Sequence, residues 1–365
     1  MDYINVPLKD IGRVVTGKTP STEVPEYYNG SIMFITPTEL HSNFIVNKSE
    51  KTITNEGLNS IRSNTIKGTS VMVGCIGWDM GNVALCTETC ATNQQINSIT
   101  DIKPAYNPLY LYYWLKTKKD YLFSISSITR TPILSKSTFE EILVPMPDKT
   151  TQDKISNVLS AIDKKIETNN RINNNLYQQA MTVYMHKFFR RKPNGQLKDV
   201  IFEQPKSSIQ VGDAKNLVGE YPFFTSGKEI LEYQTYLVDG RNIFLNTGGN
   251  ADVKLYIGKS AYSTDTWCIQ GNNNLTDYLF LFLSSIGLEL DKKYFQGSTL
   301  KHLQKDLLKS RSLYIPNSEE LNEFNSIIQP LLSKLSANNE ENNKLVRLRT
   351  WILPMLMNGQ ATIID

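Results

Sequence analysis

QDKISNVLSAIDKKIETNNRINNNLYQQAMTVYMHKFF, residues 152–189, decides how this chain folds, because its pattern occurs twice. Within it Ile155, Leu159, Ile162, Ile166, Asn169, Asn173, Leu176, Ala180 and Val183 alternate spacings of four and three, the seam of a coiled coil. Adding 169 to each number gives Phe324, Ile328, Leu331, Leu335, Asn338, Asn342, Leu345, Arg349 and Ile352. The seam returns in the same register, with asparagine at the same two places. An asparagine in such a seam costs stability but fixes register and partner orientation. The sequence therefore predicts two long helices that pair antiparallel, their asparagine layers meeting near the middle. Each helix also opens alike: Thr150 with Asp153, and Asn317 with Glu320, read as an N-cap with an acidic partner three residues on.

Working outward, the segments before each long helix repeat too. Ile32 to Ile35 and Val71 to Val73 are strand-like runs bounded by glycine, proline and threonine. Tyr110-Leu111-Tyr112-Tyr113-Trp114-Leu115 follows Pro108 as an apolar helix, and Ile142-Leu143-Val144 runs into Pro145. The second half gives Ile243-Phe244-Leu245, then the apolar helix Tyr278 to Leu283, then Leu313-Tyr314-Ile315 before Pro316. The repeating unit is a globular head plus a long helix. The predicted fold is α+β with an internal pseudo-two-fold repeat: a head over 1–147, a helix over 148–190, a head over 191–316 and a helix over 317–365. A 38-residue helix spans roughly 57 Å, the length of roughly 17 base pairs of duplex.

A chain of 365 residues holds two or three domains, and its 40% hydrophobic content is that of a globular protein. No apolar run of about 18 residues is present, so no membrane span is expected. The N-terminus lacks a basic start with an apolar core, so no signal peptide is expected. Cys75, Cys86, Cys90 and Cys268 have no disulfide-like spacing, which suits a reducing cytoplasm. Cys86 and Cys90 lack the further ligands a metal needs, so they read as buried thiols and no metal is expected. A net charge of +3 says little about partners.

Catalysis finds little support. His41, His186 and His302 are isolated, and no [DN]-P-P-[YF] motif, G-x-S-x-G elbow or G-x-G-x-x-G turn occurs. Gly12-Arg13-Val14-Val15-Thr16-Gly17-Lys18-Thr19 matches G-x4-G-K-[ST], the phosphate-loop pattern. That pattern needs a helix after it, and Pro20 pushes Thr19 out of helical geometry. A nucleotide-binding protein is nonetheless an alternative, as is a coiled-coil scaffold whose heads bind protein.

The chain resembles the specificity subunit of Type I restriction–modification systems. Leu8-Lys9-Asp10-Ile11-Gly12 with Thr16-Gly17-Lys18-Thr19-Pro20-Ser21 looks like the opening of a first target-recognition domain, and Ile133 to Lys136 through Ile142 to Pro147 like its close. Residues from Gln152 onward, Leu159-Ser160-Ala161-Ile162-Asp163-Lys164-Lys165-Ile166 included, look like the family's central conserved helix. Gln296-Gly297-Ser298-Thr299-Leu300-Lys301-His302-Leu303 resembles its closing loop, and Leu353-Pro354-Met355-Leu356-Met357-Asn358-Gly359 its distal conserved region. The second head lacks the T-G-x-T-P-S wording, and Gly212 stands where its opening is expected.

The resemblance implies a non-catalytic role. Each head reads half of a split duplex target, and the paired helices set the gap. They also dock two methyltransferase subunits that carry S-adenosylmethionine, this chain holding no cofactor, and a motor-nuclease subunit joins for restriction. Loop amides, hydroxyls and cations are the candidate DNA contacts. They are Lys18, Thr19, Thr36, Gln94, Gln95, Arg130 and Thr131 in the first head, and Thr225, Ser226, Lys228, Lys259, Ser298, Thr299 and Lys301 in the second.

Overall fold

The computed structural model describes residues 3–41, 44–128, 130–215, 217, 219–297 and 299–363. The chain packs into two compact units, Met1–Ile166 with Lys344–Asp365, and Glu167–Asn343. Four helices carry most of the packing: α1 (Pro108–Lys116), α2 (Lys149–Lys187), α3 (Thr276–Ser285) and α4 (Ser318–Met357).

In the first unit, Arg13–Thr16, Ile96–Thr100, Ser70–Gly74 and Val83–Cys86 form an antiparallel sheet in that order. A second sheet orders Lys51–Ile53, Tyr28–Ile35, Cys90–Thr92 and Thr65–Ile66, its middle two strands parallel. The run Val71-Met72-Val73 is wholly buried because both faces of its sheet are covered. Val71 and Val73 join the core under α1, while Met72 turns the other way to Ile35 and Leu40. Pro108 starts α1, and the Asn107 side chain accepts from the amides of Leu109 and Tyr110. Residues Tyr110 through Leu115 are all buried. Tyrosines are tolerated there because their hydroxyls find partners: Tyr110 donates to the Pro145 carbonyl at 2.9 Å and Tyr113 to Asp163 Oδ2 at 2.6 Å. Ile155 and Leu159 of α2 close the core with Leu353, Leu356 and Met357 of α4.

The second unit repeats the plan. Ile201–Glu203, Thr266–Gly271, Arg241–Asn246 and Val253–Ile257 form an antiparallel sheet, and Leu231–Tyr233, Tyr221–Phe224 and Ala261–Tyr262 form a sheet whose last pair is parallel. Ile243 and Leu245 face the core under α3, and Phe244 faces the opposite cluster. Tyr278 of α3 donates to the Tyr314 carbonyl, as Tyr110 does to Pro145. The opening of this head is Gly195–Gln196, paired with Ser312–Leu313 as Ile4–Pro7 pairs with Leu143–Met146. Gly212 instead lies in a short helix, Val211–Ala214.

The helices pair antiparallel in each unit. In the first, Arg349 of α4 meets Asp163 of α2. In the second, Lys187 meets Glu323, and between them lies a ladder of amides. Asn169 Nδ2 donates to Asn342 Oδ1 at 2.9 Å, and Asn338 Nδ2 to Asn173 Oδ1 at 2.8 Å. Asn342 Nδ2 donates to Asn170 Oδ1 and Asn173 Nδ2 to Asn339 Oδ1, both at 2.8 Å. These bonds form two couples, and the 169-residue offset converts one member of each couple into the other. Among the seam residues Ile155, Leu159, Ile162, Phe324 and Ile328 are buried, and Ile166, Leu176, Leu331, Leu335 and Leu345 are half-buried. Leu332, beside the predicted seam, is fully buried.

The cap of α4 is the expected one. Asn317 N–H donates to Glu320 Oε2 at 3.1 Å, and Glu320 N–H to Asn317 Oδ1 at 2.9 Å. That of α2 differs: the helix begins at Lys149, so Asp148 caps it by accepting from the Thr151 amide at 3.0 Å. Asp153 is taken by Lys149 and Asn107 instead.

Candidate nucleic-acid interface

In the first head, four loops come together at the ends of neighbouring strands. Gly17 N–H donates to Ile96 O at 3.0 Å, Cys75 N–H to Gln95 O at 2.7 Å, Asn93 N–H to Ile35 O at 3.1 Å and Gly77 N–H to Pro132 O at 3.0 Å. These bonds bring segments 17–19, 93–95, 75–79 and 130–134 to one place, with Thr36 at the end of Tyr28–Ile35. Lys18, Gln94 and Arg130 are exposed, and Thr19, Gln95 and Thr131 are half-buried. The Thr19 hydroxyl donates to Gln94 Oε1 at 3.0 Å, and Asn93 Nδ2 donates to Gln95 Oε1 at 2.9 Å, which orients both glutamines. Loop amides held this way are suited to the edges of bases, and Lys18 and Arg130 to phosphates.

Thr36 is spent locally. Its amide and hydroxyl both donate to Glu39 Oε2, at 2.8 and 2.7 Å, capping the short helix Pro37–Leu40. Burial pushes the Glu39 carboxyl up, but hydrogen bonds from Glu50 and Thr36 outweigh it and hold the group below its ordinary 4.5.

Gly17 explains why residues 12–19 are no phosphate loop. A Cβ there would lie 2.1 Å from the Asn93 carbonyl oxygen, so the glycine serves close packing. Arg13–Thr16 is itself a strand of the sheet, and no helix follows it before the short 3-10 turn Pro25–Tyr27. The amides of Gly12 and Gly17 donate to Leu8 O and Ile96 O and are engaged in the fold.

The second head builds the same end. Gly249 N–H donates to Lys301 O at 3.0 Å, Leu303 N–H to Thr247 O at 3.0 Å and Thr247 N–H to Asp265 O at 2.9 Å. They correspond to the bonds of Gly77 with Pro132, Leu134 with Cys75 and Cys75 with Gln95. Both turn glycines hold positive φ, +107° at Gly77 and +81° at Gly249. Thr225 occupies the place of Thr36, is buried, and accepts from the Gly227 amide at 3.0 Å. Ser226 donates to the Asp265 carbonyl. Lys228 and Thr299 are exposed, and Ser298 lies outside the described residues.

Two lysines sit otherwise than a free DNA contact would. Lys301 Nζ pairs with Asp291 Oδ2 at 2.8 Å, and this bond holds the Asp291 carboxyl below its ordinary range. Lys259 stands over the Tyr236 ring at 4.7 Å, at the opposite end of Ala261–Tyr262 from the loops.

Two residues escaped the sequence reading. Lys254 lies in a strand, yet its Nζ donates to Gly227 O at 2.8 Å and so fixes the loop carrying Thr225 and Ser226. Trp78 sits just past Gly77 with its indole 70% exposed and 6.2 Å from the Phe123 ring. A tryptophan between two glycine-containing turns was the available signal.

Cys86 and Cys90 are buried, their sulfurs 3.2 Å apart. No helix among the described residues is long and apolar enough to cross a membrane.

The sequence matches the family described as Type I restriction modification DNA specificity domain over residues 2–178 and 194–347. The MjaIX specificity subunit, a Type I restriction enzyme component of Methanocaldococcus jannaschii, is 27% identical over 403 aligned positions, covering 98% of this chain and 93% of the relative. The HindI specificity subunit of Haemophilus influenzae is 32% identical over 144 positions, 39% of this chain and 31% of the relative. The crystal structure of a Type I restriction–modification S subunit from M. genitalium shares the fold, with a TM-score of 0.65 at 15% identity, covering 98% of this chain and 96% of that one.

Proposed function

The chain belongs to the Type I restriction–modification DNA specificity family, and from that membership we propose that each head reads one half of a split duplex target. The observation that carries this reading is the duplicated loop end: two heads present corresponding loops, on corresponding hydrogen bonds, with different side chains. Gln94 and Gln95 of the first head correspond to Thr264 and Asp265 of the second, so the two ends would read different bases. The chain acts as an adaptor. Its helices dock two methyltransferase subunits, which supply S-adenosylmethionine, and a restriction subunit joins that assembly in the cytoplasm.

The test uses the chain assembled with its methyltransferase subunits and duplexes carrying the cognate or altered target. Gln94→Ala is expected to cost about 1–3 kcal/mol on the cognate duplex and to relax preference at one base pair. Lys18→Ala is expected to weaken all duplexes alike and to flatten the salt dependence by about one phosphate contact. If Gln94→Ala changes neither affinity nor preference, base reading does not run through that loop.

A further inference from the structure

The asparagine ladder fixes register but cannot tell one long helix from its repeat copy. Asn169, Asn170 and Asn173 of α2 become Asn338, Asn339 and Asn342 of α4, so α2 facing α2 of a second copy would complete the same amide bonds. One buried layer breaks that equivalence. In the first unit, Arg349 of α4 pairs with Asp163 of α2, Asp163 is 3% exposed, and Tyr113 of α1 donates to it at 2.6 Å. The corresponding residues of the second unit are Ala180, Leu332 and Leu281, all fully buried and apolar.

We propose that the Tyr113–Asp163–Arg349 layer makes helix pairing selective for α2 with α4, rejecting the α2–α2 and α4–α4 pairings through which a second copy of this chain would otherwise join. In a pairing of α2 with α2, the residue facing Asp163 is Ala180 of the other copy. In a pairing of α4 with α4, Arg349 faces Leu332. Each exchanged dimer therefore buries two carboxylates and two guanidiniums without their ionic partners, and a buried unpaired charge is strongly unfavourable. Specificity comes from what the wrong partner leaves unsatisfied. The Lys187–Glu323 pair works in the same sense, since an α2 pairing sets Lys187 against Lys154. It is more exposed and more easily screened by salt.

This inference concerns helix pairing alone and stands or falls apart from DNA reading. The test co-expresses two full-length copies bearing different affinity tags, captures one, and measures the other at about 0.15 M salt, where exposed charges are screened beyond about 8 Å. Wild type is expected to give little mixed capture. The triple variant Tyr113→Phe, Asp163→Leu, Arg349→Ala copies the apolar character of the second unit, and mixed capture is expected to rise at least tenfold, with circular dichroism confirming the fold. A folded triple variant at the wild-type level overturns the proposal, as does abundant mixed capture in wild type. Should the triple variant misfold, Asp163→Asn with Arg349→Gln removes the charges with little change of shape. The same rise supports the proposal, and its absence overturns it.

Discussion

Glu39 shows how much of a reading loop is scaffolding. It is 8% exposed and accepts from Thr36 and from the Glu50 amide, so a residue that reads from sequence as surface charge anchors a turn. Its folded-state pKa is depressed, so its stabilisation is fully present above the ordinary 4.5 and is lost as pH falls through the lower, folded value. Glu39→Gln is expected to cost about 1.5–3 kcal/mol at pH 7. In urea unfolding the gap to wild type should close in acid; a gap that holds constant to pH 3 would contradict the assignment. Trp78 carries a second expectation at this scale. An indole left 70% exposed beside reading loops offers a stacking or wedge surface, and Trp78→Ala should weaken duplex binding by the assembled complex about tenfold. Unchanged anisotropy titrations would assign the indole to another partner. Residue roles were the least legible part of the sequence. Thr36, Thr225 and Lys301 have the right chemistry for DNA, but Glu39, Gly227 and Asp291 claim it; Thr36-x-x-Glu39 is a capping box legible in the sequence, whereas Gly227 and Asp291 lie 2 and 10 residues from their partners in no recognisable motif.

At the scale of elements, the long helices were legible because a repeat at one offset is hard to mistake, and the Asn317–Glu320 cap because its residues sit at motif spacing. The α2 cap was misread for the same reason: Thr150 and Asp153 have motif spacing, but Asp148 lies one residue before the helix and captures Thr151 first. The amide ladder yields a prediction of its own. Asn338→Leu alone leaves the Asn173 carbonyl buried without its donor and is expected to cost about 1–3 kcal/mol. Adding Asn173→Leu removes both partners of that bond but takes the donor from Asn339 Oδ1, so it should recover part of that loss and loosen the pairing register. Calorimetry of the single and double variants reads the first part; a double variant less stable than the single would refute the account of the ladder.

The whole molecule is a head and a long helix, used twice. Sheet order, the tyrosine bond from the apolar helix to the closing strand, and the loop bonds at the strand ends all recur in the second unit. The side chains at the loop tips differ between the copies, as a reader of two unlike half-sites requires, and so does the buried layer around Asp163. Duplication was visible in the helices, whose seams are constrained by pairing, and faint in the heads, whose loops are free to diverge. The most direct measurement is methylation mapping of DNA exposed to this chain together with its cognate methyltransferase subunits. The account predicts a single split target, two defined sequences separated by a gap of fixed length and indifferent composition. Methylation at a continuous site, or without regard to one of the two parts, would contradict it.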